Sequence, residues 1–274
     1  MVGPPPAAFV QCPPMRILLS NDDGILAPGL AAMRQELAKL GEVFVVAPES
    51  PQSAAAHSLT IHGPVTCRRV HVQDAFFGYA VGGRPADCVK LALVELMDQP
   101  PDLVVSGIND GANVSINVLY SGTVAAAAEG ALLGYPAVAV SLRHGEERDF
   151  NRAARIALPI VKTLLDRGLA GGQLINVNLP DLTPGPPRGV RVVPMATRMI
   201  ADKFARHTAP DGRDYYWFDS SDFSFQAGDK PANNDLDAVD DRYIAITPLH
   251  FDLTDYDLLG HLETIEWGPV NCAS

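Results

Sequence analysis

Asp22 and Asp23 stand side by side between a short apolar run, Ile17-Leu18-Leu19, and Gly24. Adjacent carboxylates repel each other unless a cation lies between them. Asp, Ser and Asn oxygens are hard donors. They suit Mg²⁺ or Mn²⁺, which keep coordination positions for water and phosphate oxygen. Two other polar clusters carry the same donor types: Ser50 to Ser58, and Ser106-Gly107-Ile108-Asn109-Asp110-Gly111-Ala112-Asn113. Tyr120-Ser121-Gly122-Thr123-Val124 runs into an Ala-rich stretch. Free N–H groups at a helix start, beside Ser and Thr hydroxyls, make a phosphate seat. Plainer readings stay open. Asp22-Asp23-Gly24 also suits a turn or a helix cap, and Ser121 or Thr123 an ordinary N-cap. His57 reads as a surface histidine in a loop. The nine Asp from Asp211 to Asp241 read as a solvated loop, because they lack EF-hand spacing.

Such residues act together only if the fold brings them together. Short apolar runs at 17–19, 43–46, 103–105, 138–140 and 174–177 predict buried strands. Between them, helical spacing appears at 30–40, 86–97, 123–133 and 156–164, with Pro159 expected to kink the last helix. Two further β-rich stretches surround Val70 and Tyr79. The alternation predicts βαβ units and a Rossmann-like parallel sheet covered on both faces. Ligands of such sheets bind beyond the carboxyl ends of the strands, where all three polar clusters fall.

The expected organisation has three parts. Residues 1–14, with five Pro, form a disordered extension, and Met15 opens the domain. Residues 15–180 form the α/β catalytic core. Residues 181–274 form a β-rich extension with an acidic loop. The 274 residues carry 47% hydrophobic and 19% charged side chains, which excludes wholesale disorder. A net charge of −11 argues against binding a nucleic-acid duplex through a basic face. No apolar run reaches the ~20 residues of a membrane span. Four scattered cysteines without a C-x-x-C pair fit a reducing cytoplasm. The dinucleotide-binding G-x-G-x-x-G, the P-loop and the G-x-S-x-G nucleophile elbow are absent.

Taken together, these segments resemble the SurE family of stationary-phase survival proteins, which are metal-dependent nucleotidases. The resemblance rests on Arg16 to Ile25, Pro48 to Thr60, Ser106 to Asn113, Tyr120 to Gly130 and Ile246-Thr247-Pro248-Leu249, and extends from Met15 to about Thr254. It implies a cytoplasmic 5′/3′-nucleotidase that hydrolyses nucleoside monophosphates. It also implies a C-terminal part used in oligomerisation, giving a homodimer or homotetramer. One Mg²⁺ or Mn²⁺ per subunit would rest on Asp22, Asp23, Ser53 and Asn109. Asn113, Ser121, Gly122 and Thr123 would face the phosphate, with Asp22 and Asn113 closest to the chemistry. Three positions depart from the family pattern. Ala54 and Arg242 replace glycines, and Asn234-Asp235 replaces Thr-Asp. Two other activities remain open: a metal-dependent sugar-nucleotide transferase, and a nucleotide-sensing module without catalysis.

Overall fold

The computed structural model describes residues 14–198, 204–218 and 233–268. The chain opens with β1 (Met15–Ser20), α1 (Pro28–Leu37) and β2 (Gly41–Pro48). A hairpin follows, β3 (Thr66–Val72) and β4 (Ala75–Gly82), then α2 (Pro85–Leu91), prolonged by a π-helical turn over Ala92–Leu96. Next come β5 (Leu103–Asp110), the short α3 (Asn117–Tyr120), α4 (Gly122–Leu132), β6 (Ala137–Leu142), α5 (Phe150–Asp166) and β7 (Leu174–Leu179). Beyond residue 180 lie β8 (Val190–Val192), β9 (Phe204–Thr208), β10 (Asp214–Phe218), α6 (Asp235–Asp240), β11 (Ile244–Leu249) and α7 (Tyr256–Leu262).

Nine strands form one sheet in the order β3-β4-β2-β1-β5-β6-β7-β11-β8. The strands from β4 to β7 in this order are parallel. β3 pairs antiparallel with β4, and β11 with β7. The apolar runs are continuous because both faces are covered. Ile17 and Leu19 pack towards Leu30, Met33, Ala157 and Val161 of α1 and α5. Leu18 packs the other way, with Val89 of α2 and Ala126, Ala127 and Ala131 of α4. The alternation is the strand period of two. α4 lies very close to the sheet: a Cβ on Gly130 would come within 2.8 Å of Val104 Cβ. Its run of small residues permits that approach, and the approach fixes where its N-terminus points.

From β1 the chain moves outward to β2, and later returns to place β5 on the other side of β1. The carboxyl ends of β1 and β5 therefore frame a topological switch point. α5 runs without interruption through Pro159. Pro159 and Arg155 are exposed, so water can satisfy the carbonyl left without a donor. After residue 180, β11 and β8 continue the core sheet, whereas β9 and β10 form a separate two-stranded hairpin. Most of the expected disordered extension (1–13) and the middle of the acidic loop (219–232) lie outside the described residues.

Candidate active site

Asn21 closes the turn that follows β1. Its Nδ2 donates to Gly24 O at 3.0 Å, and its Oδ1 accepts from Gly24 N–H at 3.2 Å. Gly24 has φ +102°, a conformation that favours glycine. The turn thus rests on Asn21 and Gly24, and the carboxylates of Asp22 and Asp23 are not consumed by it. Asp22 is 7% exposed and accepts a hydrogen bond from Thr123 Oγ1. Burial pushes its pKa up to about 6; the Thr123 bond opposes this and the neighbouring Asp23 adds to it. Asp23 Oδ2 accepts the Asp110 N–H at 3.1 Å. Burial raises its pKa as well, with the Asp110 charge adding and that backbone bond opposing. Asp110 is itself held by His144 Nδ1 at 3.0 Å and Arg148 Nη1 at 2.7 Å.

β5 reaches this corner through a bulge. Its register with β6 shifts between Ser106 and Asn109. Gly107 sits in the bulge at φ +128°, and a Cβ there would lie 2.2 Å from Val140 O. Only glycine fits, and the bend re-aims Asn109 and Asp110. Asn109 Nδ2 donates to Gly111 O at 2.7 Å, so its Oδ1 is the atom left for a ligand. Asn113 is placed differently. Its Nδ2 donates to Ser141 Oγ at 2.8 Å, and its backbone is held by Asn176 and Asn178. It belongs to a buried amide network between β6, β7 and the loop after β5.

Ser53 lies exposed in the loop between β2 and β3. Gln52 N–H donates to Asp22 O at 2.8 Å and Ala56 N–H to Tyr120 O at 3.0 Å, which ties the loop to both the β1 turn and the approach to α4. Ala54 (φ +54°) and Ala56 (φ +51°) occupy the left-handed region. Ser121 is the N-cap of α4, its Oγ accepting from Val124 N–H at 3.0 Å. Gly122 abuts Asp22, since a Cβ there would sit 2.7 Å from Asp22 Cβ. The first turn of α4, with its positive end, is therefore pressed against the carboxylate.

The side chain of one further residue escaped the sequence reading. Glu129 is the only charged residue of α4 and is nearly fully buried. His57 Nε2 lies 2.9 Å from its Oε2 and Lys90 Nζ 2.5 Å from its Oε1. The His57 bond, followed by Lys90, holds the Glu129 pKa down against burial. His57 is thus a tether of the Ser53 loop rather than an incidental surface group. The signal was a single glutamate inside an alanine run, but its partners lie far away in sequence.

Neither Asp22 nor Asp23 forms an ion pair among the described residues. Nor do the described residues hold a cluster of three or more His, Cys, Asp or Glu able to bind a metal. Gln52 N–H ties the Ser53 loop to Asp22, and Asp110 N–H ties the strand end that carries Asn109 to Asp23, so hard oxygens border the two carboxylates. Two like charges without a cation, among hard oxygens, fit a divalent ion.

A family model described as Survival protein SurE matches residues 17–202. The chain is 46% identical over 252 residues to a protein of Rhodopirellula baltica named 5′-nucleotidase SurE, covering 91% of this chain and 98% of that one. A protein of the same name from Pelotomaculum thermopropionicum is 44% identical over 252 residues, with 92% and 95% covered. The crystal structure of the SurE protein from Aquifex aeolicus superposes with a TM-score of 0.76 at 38% identity, covering 90% of this chain and 98% of that chain.

Proposed function

Because the chain belongs to the survival protein SurE family, we propose that it is a divalent-cation-dependent 5′-nucleotidase, hydrolysing nucleoside monophosphates to nucleoside and phosphate. The observation that carries this reading is the unpaired Asp22–Asp23 couple at the switch point, facing the first turn of α4. Asp22, Asp23, Ser53 and Asn109 would hold one Mg²⁺ or Mn²⁺ per subunit. When bound, the ion supplies positive charge to a phosphoryl oxygen and makes water more acidic.

The remaining work falls to the chain. Asp22 orients the attacking water and takes its proton on the carboxylate. Thr123 fixes Asp22 through its hydroxyl. Ser121 and Gly122 open α4 beside that carboxylate, and their donors receive the phosphate oxygens as charge builds. Asn113 contributes from the buried amide network, which holds the loop after β5 and so the position of Asn109. Free thiols at Cys67 and Cys88 support the cytoplasm as the compartment.

The enzyme works as a homodimer or homotetramer. α7 has no buried residue and exposes Tyr256, Leu258 and Leu259, while the β9–β10 hairpin exposes Phe204, Tyr216 and Trp217. Apolar surface of that kind marks an interaction site. A monomer by light scattering would contradict this. The activity is tested by phosphate release from a panel of nucleoside monophosphates, with different divalent metals and no acceptor sugar. Many turnovers, lost on chelation, are expected. No release, or full activity after exhaustive chelation, would overturn the reading.

A further inference from the structure

Two cavities flank the site. The larger, about 480 Å³, runs along α4 from Ser121 to Leu132 and is mainly apolar, with Val124, Ala128, Met195 and Phe251 among its walls and His57, Ser121, His250 and Asp252 as its polar groups. Polar groups are a minority of that lining, so a sugar there would face mostly apolar wall. The other is a polar cleft of about 310 Å³, lined by Glu49, Ser50, Gln52, Thr60, Gly82 and Arg84. It lies at the carboxyl ends of the neighbouring strands β2 and β4, on the same edge of the sheet as Asp22.

The cleft is coupled to the phosphate end at two points. Gln52 lines it, donates its N–H to Asp22 O, and precedes Ser53. Arg84 lines it too, and the next residue, Pro85, lies against Gly122: a Cβ on Gly122 would be 3.0 Å from Pro85 Cγ. The walls are held in place. Asp87 accepts from Thr60 N–H, Thr60 Oγ1 and Arg84 N–H, the last two at 2.6 and 2.8 Å. Arg84 Nη1 donates to Gln52 Oε1 at 2.7 Å, leaving the rest of its guanidinium without a hydrogen bond among the described residues. Glu49 gives Oε1 to Arg68 Nε at 2.7 Å, which leaves Oε2 as an acceptor.

We propose that this cleft is the nucleoside subsite, in which Glu49 accepts hydrogen bonds from the ribose hydroxyls and Arg84 lies against the base. The inference rests on the nucleotidase reading and adds where the leaving nucleoside sits. An acidic residue just past the second strand of an α/β sheet is well placed for a ribose. A guanidinium plane suits the face of a base. Both residues bind ground state and transition state alike, so their loss falls on KM rather than kcat.

The test compares Glu49→Ala and Arg84→Ala with the parent. Substrates are adenosine 5′-monophosphate, its 2′-deoxy analogue and p-nitrophenyl phosphate, which has no nucleoside. Calorimetric titration with adenosine runs alongside and needs no turnover. Glu49→Ala should lose about tenfold of the parent's preference for the nucleotide over p-nitrophenyl phosphate, the size of one hydrogen bond to a charged group, and Arg84→Ala roughly two- to fivefold, the size of an exposed cation–π contact. Glu49→Ala should also lose discrimination between ribose and deoxyribose, and both variants should bind adenosine more weakly. Unchanged preferences and unchanged adenosine binding in both variants would overturn the inference while leaving the nucleotidase reading intact. If the parent releases no phosphate, the nucleotidase reading fails, and the adenosine titration alone decides whether the cleft takes a nucleoside.

Discussion

The two flanks of the crevice are built in different ways. On one, the β1 turn, the β5 bulge and the first turn of α4 are packed so closely that glycine is required at 107 and 122. On the other, Ser53 lies exposed in a loop held by hydrogen bonds from Gln52 and Ala56 and by the His57–Glu129 contact. That loop places Ala54 and Ala56 in a backbone region that side chains disfavour. The difference assigns roles. The buried flank holds fixed charge at a cost in stability, and the loop flank offers a hydroxyl whose position can adjust. Substitutions on the first should change stability as well as catalysis, and those on the second chiefly affinity.

The largest consequence concerns pH in the metal-free protein. Asp22 rises from 3.8 to about 6 on folding. Between these values the folded chain holds a proton that the unfolded chain has released, so stability falls as pH rises from 4 to 6. Above that the deficit is about 3 kcal/mol. Asp22→Asn keeps an acceptor for Thr123 and removes the charge. Without metal at pH 7 it should be more stable than the parent, and the two should converge near pH 4. Equal denaturant midpoints at both pH values would break the contrast between the flanks.

Thr123→Val comes next. It removes the hydroxyl that fixes Asp22 and should lower kcat by about 10–100-fold, the usual cost of losing an outer partner of a ligand. Unchanged steady-state kinetics would reduce Thr123 to a packing residue. On the loop flank, Ser53→Ala should weaken the apparent metal affinity by roughly tenfold with an unaltered melting temperature. Metal titration of the activity reads this directly. A large loss of stability would show that the loop is as structural as the buried flank. The smallest effect is that of Ala54→Gly. It relieves the left-handed strain of about 1–2 kcal/mol but frees the unfolded chain by roughly half as much. A gain of at most about 1 kcal/mol is expected, measured by denaturant unfolding.

The buried flank was largely legible in the sequence, and the loop flank less so. Ile17-Leu18-Leu19 and Leu103-Val104-Val105 read as strands because both faces are covered, and their polar sequels fell at the switch point. The replaced glycines also carried structural information: Ala54 and Arg242 both have positive φ, at +54° and +67°. What stayed hidden depends on distant pairing. Asn21 reads as one more polar residue until its bonds to Gly24 O and N–H are seen. The bonds that fix Asn113 to Ser141, Asn176 and Asn178 join segments far apart in sequence. Ile244-Ala245-Ile246 joins the core sheet only because β7 leaves an open edge for it, which no local pattern reports. His57 becomes a tether only through a glutamate 72 residues later.

The most direct measurement of the central claim is the melting temperature of the parent and of Asp23→Asn, each with and without Mn²⁺ or Mg²⁺. At about 100 times its dissociation constant, a bound ion adds about 2.7 kcal/mol. For a chain of this size that is roughly 5–10 °C. The parent should gain that much, and Asp23→Asn only a small fraction of it. Equal shifts in the two proteins would contradict the account, because a cation would then be binding elsewhere than between the switch-point carboxylates.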